Sequence, residues 1–599
     1  MLTGWVCLYL FLVYVLTHGG KIQGWHSVIW IAATFVGMFA VIGIQGSVGG
    51  GRRTEDGGRR AEDGGRWAVG GGRWSVSSLW QQLRIALALS VAGLSLPILF
   101  SWILGHFTDF SWDGMTSRGI TVRNLMLGEP ALNEHSLGHV TAGFLADLTG
   151  SWQSGKGINL TLIWISFCFS FGGLRNLGFA GFSLWFLSSL AALNPVAVYQ
   201  ISCFQIDGHV ASLFCCVIFA ALHLLQTAGK GLAGWLPLIL AVLGMATAKT
   251  SGFAYTFILL ALLLTFLLGS PRVGSWQKSL TAVFVLGLVS LLGAVYLWSG
   301  LGVIQWGHLR LVSDIQTAGY GVGGGASKIE AYRNLSRPQT FFSSAFSMTE
   351  SIPDEIRLKP PFAMTRRELR VFEELTPDPR AGGFGPQFSG AMLLAGLACT
   401  FLLFLRRPIY GPGLFVVLAA VVSSYFSQLW WARWTPQIWL ILIGFLMTAV
   451  YGTWGGQERD GIREEKTQQT PAEKFGIGML TGLAMLATAF NVFLVVLYYG
   501  IGMVRQENIL NRQIELAKNL GEPVPIHIRA NHDGCFFEAS RLWFLDRGIP
   551  MAMLEQEPSR PRMKIHKTES RVPLPPDWKF SLKNPKDEVV FRKRALIEE

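Results

Sequence analysis

The sequence has few charged residues for its length. Of its 599 residues 15% are charged and 50% are hydrophobic, whereas a soluble domain has about 25% charged residues. The chain also contains many apolar runs that are long enough to cross about 30 Å of hydrocarbon. Both features argue against a large soluble protein. We therefore predict an all-α polytopic membrane protein with about 13 transmembrane helices.

Cysteine and clustered basic residues are also scarce. Six of the seven cysteines lie in apolar runs, and none has the spacing of a metal site or a disulfide framework. The net charge of +12 comes from basic residues that are scattered over loops, so it does not indicate nucleic-acid binding. We predict no cofactor and no nucleic-acid partner; the sequence indicates no divalent metal but leaves the metal requirement open.

The apolar runs divide the chain into four regions. We predict an N-terminal transmembrane helix pair at 1–45, a Gly/Arg-rich linker at 46–78, a transmembrane body at 79–503 and a soluble tail at 504–599. The linker contains a tandem RR-x-EDGG repeat, whose composition cannot bury a core. The tail contains short runs typical of helices and strands, so it is predicted to form a small α/β appendage.

The orientation of the spans follows from Lys and Arg in short loops, which favour the cytoplasm. With 46–78 cytoplasmic, alternation places 105–157, 301–388 and the tail on the extracytoplasmic side. The predicted spans are 2–17, 25–45, 80–104, 158–173, 177–193, 208–226, 232–247, 251–269, 279–300, 389–405, 412–428, 435–452 and 476–503.

Unusual polar residues gather on the extracytoplasmic side. The candidate site residues are Asp109, Asp113, Asp207, His209, Lys249, Trp431, Arg433 and Gln437. Arg binds a phosphate through a bidentate fork and Lys binds it as a point charge, while a carboxylate can act as a general base toward a hydroxyl. Charges beside lipid are costly unless they are solvated, paired or used. The pattern therefore favours a substrate that is partly lipid and partly polar, with membrane lipids around it.

Each candidate also has an ordinary structural interpretation. Asp113 is compatible with a solvated loop acid or a helix N-cap, and Asp207 with a polar residue satisfied between helices. Lys249 is compatible with a side chain that snorkels to the interface. Arg433 and the Trp residues beside it have the composition of an interfacial anchor. His209 is compatible with a hydrogen-bonded bystander.

Six short segments follow one another over residues 80–440: SWDGMT, LGHVTAGFLADLTGSWQSGKGINL, NPVAVYQISCFQIDGH, ATAKTSG, GGFGPQF and WWARWTPQ. In this order they resemble bacterial multi-pass glycosyltransferases of the GT-C superfamily, the relatives of protein mannosyltransferases and aminoarabinose transferases. The resemblance implies a GT-C-like catalytic domain in the bacterial inner membrane, with its active site facing the periplasm. It also implies inverting transfer of a sugar from a polyprenyl-phosphate donor to an extracytoplasmic acceptor of the cell envelope, with Asp113 in the position of the acid that acts on the acceptor.

The chain departs from that pattern next to Asp113. Relatives often have a second acid where this chain has Gly114, and Tyr-His where it has Ser117 and Arg118. Two other functions therefore stay open. A flippase or exporter of a lipid-linked saccharide should place its ionisable residues near the bilayer midplane. A polymerase or ligase of surface polysaccharide should present Arg/His pairs in a large outer loop, but 301–388 contains one histidine, His308.

Overall fold

A computed structural model gives the fold. It describes residues 95–109, 111, 114, 118–127, 137–227, 232–269, 285, 287, 332, 335–350, 355–375, 379–405, 410–425, 427, 429, 431–454, 471–519, 578–582 and 589–593. The predicted spans 2–17 and 25–45, the linker 46–78 and Asp113 lie outside the described residues, and so does the predicted span 279–300 apart from residues 285 and 287.

The described residues are mostly helical. The helices are α1 (Ser95–Gly105), α2 (Gly119–Met126), α3 (Leu137–Thr149), α4 (Gly157–Asn176), α5 (Gly181–Ala192), α6 (Pro195–Tyr199), α7 (Asp207–Thr227), α8 (Leu232–Ala248), α9 (Thr250–Gly269), α10 (Arg337–Phe346), α11 (Arg366–Glu373), α12 (Phe388–Phe404), α13 (Gly411–Tyr425), α14 (Ile438–Trp454) and α15 (Pro471–Asn519). Short 3₁₀ turns at Trp152–Lys156 and Ala432–Trp434 precede α4 and α14.

The helices coincide with most of the predicted spans that can be compared, and the exception is the last one, 476–503, which α15 passes at both ends. The apolar runs predicted at 208–226, 251–269 and 389–405 correspond to α7, α9 and α12. Within the described part of the chain, four segments are long and apolar enough to cross a membrane: Trp152–Asn176, Asp207–Gln226, Ser251–Gly269 and Phe475–Arg512. The helical, membrane-type architecture is thus confirmed by length and composition, while the total of about 13 spans stays a prediction.

Large apolar side chains face outward on several of these helices. Phe182 is 73% exposed, Phe404 80%, Phe475 73% and Leu486 65%. Water would disfavour so many exposed apolar groups, whereas hydrocarbon would not. These faces therefore suit contact with lipid.

The core of the helical body is built around α7. This helix packs against α4, α8 and α9, and its side chains Phe214, Val217 and Phe219 are almost completely buried. Small residues allow close helix contacts elsewhere: a Cβ added at Gly413 on α13 would lie 2.8 Å from the Gly444 carbonyl oxygen of α14. Close packing of the helices fixes the positions of their ends, where Asp207, Lys249 and Arg433 lie.

The C-terminal region differs from the predicted boundary at 503. Helix α15 continues to Asn519 without a break. The helix-like run of the predicted tail, NILNRQIELAKNL at 508–520, joins the last predicted span directly. A two-stranded antiparallel hairpin, β1 (Trp578–Leu582) and β2 (Val589–Lys593), follows later in the chain. The rest of the predicted α/β appendage lies outside the described residues and stays a prediction.

Candidate functional site

The centre of the site is the buried carboxylate of Asp207, at the first residue of α7. Its side chain is 3% exposed. Lys249 Nζ donates a hydrogen bond to Oδ1 at 2.6 Å, and Arg433 Nε lies 2.6 Å from Oδ2. These three candidates come from the start of α7, the turn between α8 and α9, and the 3₁₀ turn before α14. The structure thus brings together residues that are far apart in the sequence.

Aromatic rings cover the cations of this cluster. Lys249 Nζ lies 4.4 Å from the centre of the Trp434 ring, and the Arg433 guanidinium lies 5.5 Å from the Trp431 ring. Contacts of this kind stabilise a cation by about 0.5–2 kcal/mol. Trp431 is 7% exposed, so its ring is buried in protein rather than presented to lipid. Its burial favours a role in the site over the interfacial-anchor interpretation.

Among the residues that the structure describes, positive charge exceeds negative charge around Asp207. Arg118, at the start of α2, interacts electrostatically with Asp207, His209 and Lys249. Burial lowers the pKa of Lys249, Arg433 and Arg118 lower it further, and Asp207 opposes the shift. Three cations that share one carboxylate repel one another, and burial increases this cost. An anionic group bound beside them would therefore be stabilised.

His209 and Gln437 occupy the surroundings of the cluster. The Asn159 amide donates to the carbonyl oxygens of Gln200, Ile201 and Cys203. Its side-chain oxygen is therefore left to accept a hydrogen bond from His209 Nε2, at 2.6 Å. This contact holds the turn before α7, which fits the bystander interpretation of His209. Gln437 is buried just before α14.

Asp109 makes contacts typical of a structural carboxylate. It is fully buried, and it accepts hydrogen bonds from the backbone N–H groups of Ser111 at 2.7 Å and Phe204 at 2.8 Å. Burial raises the pKa of the Asp109 carboxyl, although the charge of Lys156 and these hydrogen bonds oppose the rise. Both oxygens are committed to the backbone. The contacts therefore favour a structural role for Asp109 over the predicted role as a base.

The same loop explains the glycine at position 114. A Cβ added there would lie 1.9 Å from Asp109 Oδ2 and 2.8 Å from Ser111 Oγ. Any side chain would displace the carboxylate that ties the loop to Phe204. The missing second acid at this position therefore has a steric reason in this chain.

Sequence reasoning treated Arg118 only as a departure from the family pattern, and it did not name Trp434 or Arg380 as site residues. The Arg380 guanidinium lies 4.3 Å from the Trp431 ring, and the Arg380 carbonyl oxygen accepts a hydrogen bond from Ala432 N at 3.3 Å. The segment before α12 thus packs onto the Arg433 turn. A single Arg in a long loop gives no local signal of such a contact.

Among the described residues, no group of three or more His, Cys, Asp and Glu side chains has an arrangement that would hold a metal ion. That the protein needs no cofactor stays a prediction.

The chain is similar to a solved membrane-protein structure. The chain aligns with the crystal structure of ArnT from Cupriavidus metallidurans bound to undecaprenyl phosphate, with 11% identity and a TM-score of 0.37, over 80% of this chain and 90% of that one. The identity and the TM-score are both too low for residues of ArnT to be mapped onto this chain. No protein-family model matches the sequence, and no curated protein matches it.

Proposed function

We propose that this protein is a membrane glycosyltransferase that moves a sugar from a polyprenyl-phosphate donor to an acceptor on the extracytoplasmic side of the bacterial inner membrane. The observation that carries the proposal is the cluster of Asp207, Lys249 and Arg433, with Arg118 beside it. It lies where apolar helices end, so a ligand there can combine an anionic head with a lipid tail.

The cluster has the chemistry of a phosphate site. Asp207 holds Lys249 and Arg433 in place through one oxygen each, and three cations, Lys249, Arg433 and Arg118, act on this carboxylate. A guanidinium and an ammonium together can bind a phosphate through charge-assisted hydrogen bonds. The buried ring of Trp431 and the partly buried ring of Trp434 limit the access of water, which strengthens these interactions.

The proposed reaction is a single displacement at the anomeric carbon. An acceptor hydroxyl attacks that carbon, the bond to the phosphate oxygen breaks, and polyprenyl phosphate leaves with the bonding electrons. Asp113 takes the proton of the hydroxyl as general base. Lys249, Arg433 and Arg118 stabilise the negative charge that develops on the leaving phosphate. Attack from the side opposite the phosphate inverts the configuration of the sugar.

A carrier of lipid-linked saccharides is the alternative for the same cluster, because binding alone would need the same cations. The described charged residues of the cluster lie at helix ends rather than at helix centres, and a transporter site lies near the midplane. The position of the cluster therefore favours the enzyme.

Replacing Arg433 by Lys tests the phosphate site. The variant keeps the charge but loses the planar fork, so we expect donor affinity to fall about tenfold or more, as for the loss of one charged hydrogen bond. Turnover at saturating donor should change less. The measurement is equilibrium binding of a polyprenyl-phosphate sugar to the purified protein, followed by turnover.

Arg175→Lys is a matched control, because Arg175 is exposed in the last turn of α4, at the opposite end of that helix from Asn159 and its partner His209. It should leave donor binding unchanged. Equal donor affinity in Arg433→Lys and the wild type would mean that the Arg433 turn only anchors the protein at the membrane.

A further inference from the structure

The loop between α1 and α2 is held by side chains from other parts of the chain. Thr108 N donates to Glu507 Oε2 at 2.9 Å, and Asp109 N donates to Gln153 Oε1 at 3.1 Å. The fully buried Lys156 donates to Gln153 Oε1 at 2.6 Å and to the carbonyl oxygen of Phe107. The first half of the loop is thus fixed at three consecutive residues.

Further hydrogen bonds connect this fixed segment to the anion site in two directions. Asp109 Oδ2 accepts from Phe204 N, three positions before Asp207. Ser111 Oγ accepts from Gly114 N at 3.1 Å. Gly114 in turn lies against the start of α2, since a Cβ added at Gly119 would be 2.6 Å from the Gly114 carbonyl oxygen, and Arg118, the residue before Gly119, acts electrostatically on Asp207. A displacement of Thr108 would therefore also displace Phe204 and Arg118, which connect the loop to the cluster of cations.

Glu507 differs from the other residues of this network because it comes from a distant part of the chain. It lies on α15, 399 positions from Thr108 along the chain, and it is 7% exposed. Burying a carboxylate is costly unless it is paired or hydrogen-bonded. By contrast, Arg505 on the same helix is largely exposed and pairs with Glu373 at the surface. The burial of Glu507 indicates that its contact with the loop matters to this structure.

We infer that Glu507 is a positioning residue that fixes the α1–α2 loop and so holds Arg118 at the anion site. The inference rests on the proposed function, because it concerns how the same site binds a lipid phosphate. It connects one residue of α15, Glu507, to the donor site, although Glu507 lies past the last predicted span.

A double-mutant cycle between Glu507 and Arg118 tests this inference in the full-length purified protein, with undecaprenyl phosphate as the probe. We expect Glu507→Ala to weaken binding about tenfold, because a displaced Arg118 would lose roughly one good hydrogen bond to the phosphate. Because Glu507 acts through Arg118, adding Glu507→Ala to Arg118→Ala should weaken binding little further. Glu507→Gln keeps an oxygen that can accept from Thr108 N, so it should bind nearly as well as the wild type.

Arg505→Ala is the matched control on the same helix, and it should leave binding unchanged. Additive effects of Glu507→Ala and Arg118→Ala would overturn the inference, since independent sites add. So would a Glu507→Gln variant as weak as Glu507→Ala. If Glu507→Ala does not fold, Glu507→Asp takes its place in the cycle, because its shorter side chain retracts the oxygen from Thr108.

Amide hydrogen exchange separates this inference from the proposed function. If the wild type binds no undecaprenyl phosphate, the proposed function fails, but the loop contact can still be judged. Residues 107–111 should then exchange faster in Glu507→Ala than in the wild type or in Arg505→Ala. Equal exchange in all three proteins would show that Glu507 does not fix the loop.

Discussion

Replacing Asp113 by Asn is expected to lower turnover by about 10²–10⁴, the usual contribution of a general base. The amide keeps the shape of the carboxylate but cannot take the proton of the acceptor hydroxyl. Donor binding should change little, because the proposed phosphate ligands are Lys249, Arg433 and Arg118. The measurement is turnover and donor binding of the purified variant with a polyprenyl-phosphate sugar.

Asp147→Asn is the control for this experiment. Asp147 is an exposed acid on α3 and lies in the same predicted outer region, 105–157, so its replacement should leave turnover unchanged. Full turnover in Asp113→Asn would assign Asp113 a structural role. The carrier of lipid-linked saccharides would then become the better account of the cluster.

Replacing Asp207 by Ala is expected to lower the free energy of unfolding by about 3–5 kcal/mol, the usual cost of breaking a buried ion pair by removing one partner. The variant would leave Lys249 and Arg433 close together, mostly buried and without their shared carboxylate. Denaturant unfolding of the purified protein in a mild detergent measures the change.

The matched control is Asp147→Ala, which removes an exposed acid and should change the free energy of unfolding by about 0.5 kcal/mol or less. A loss for Asp207→Ala that is no larger than the control's would mean that the cations do not depend on Asp207. The cluster would then be solvated rather than held in a buried site.

Much of the helical architecture could be predicted from the sequence, because each apolar run has to be buried or face lipid. The runs predicted at 208–226 and 251–269 match α7 and α9 closely. The counting of loop charges also placed Asp207, Lys249 and Arg433 on one side. The three residues contact one another because the helix ends that carry them lie side by side. Their proximity could therefore be predicted from the sequence.

The role of Asp109 could not be predicted in the same way. Its spacing from Asp113 indicated paired acids, but its partners are the backbone N–H groups of Ser111 and Phe204. The contact between Thr108 and Glu507 joins residues 399 positions apart. No local pattern encodes such contacts, since they depend on how the helices pack. For the same reason, the sequence indicated Arg118 only as a departure from the GT-C pattern, and its position near Asp207 could not be predicted.

The central claim is that the cluster of Asp207, Lys249 and Arg433 binds the phosphate of a lipid-linked donor. It is tested most directly by the equilibrium affinity of the purified protein for undecaprenyl phosphate and for undecaprenol, which has the same chain without the phosphate. We predict that the phosphate form binds at least about tenfold more tightly, a difference of about 1.4 kcal/mol. Equal affinities would contradict the claim, because the lipid chain alone would then account for binding.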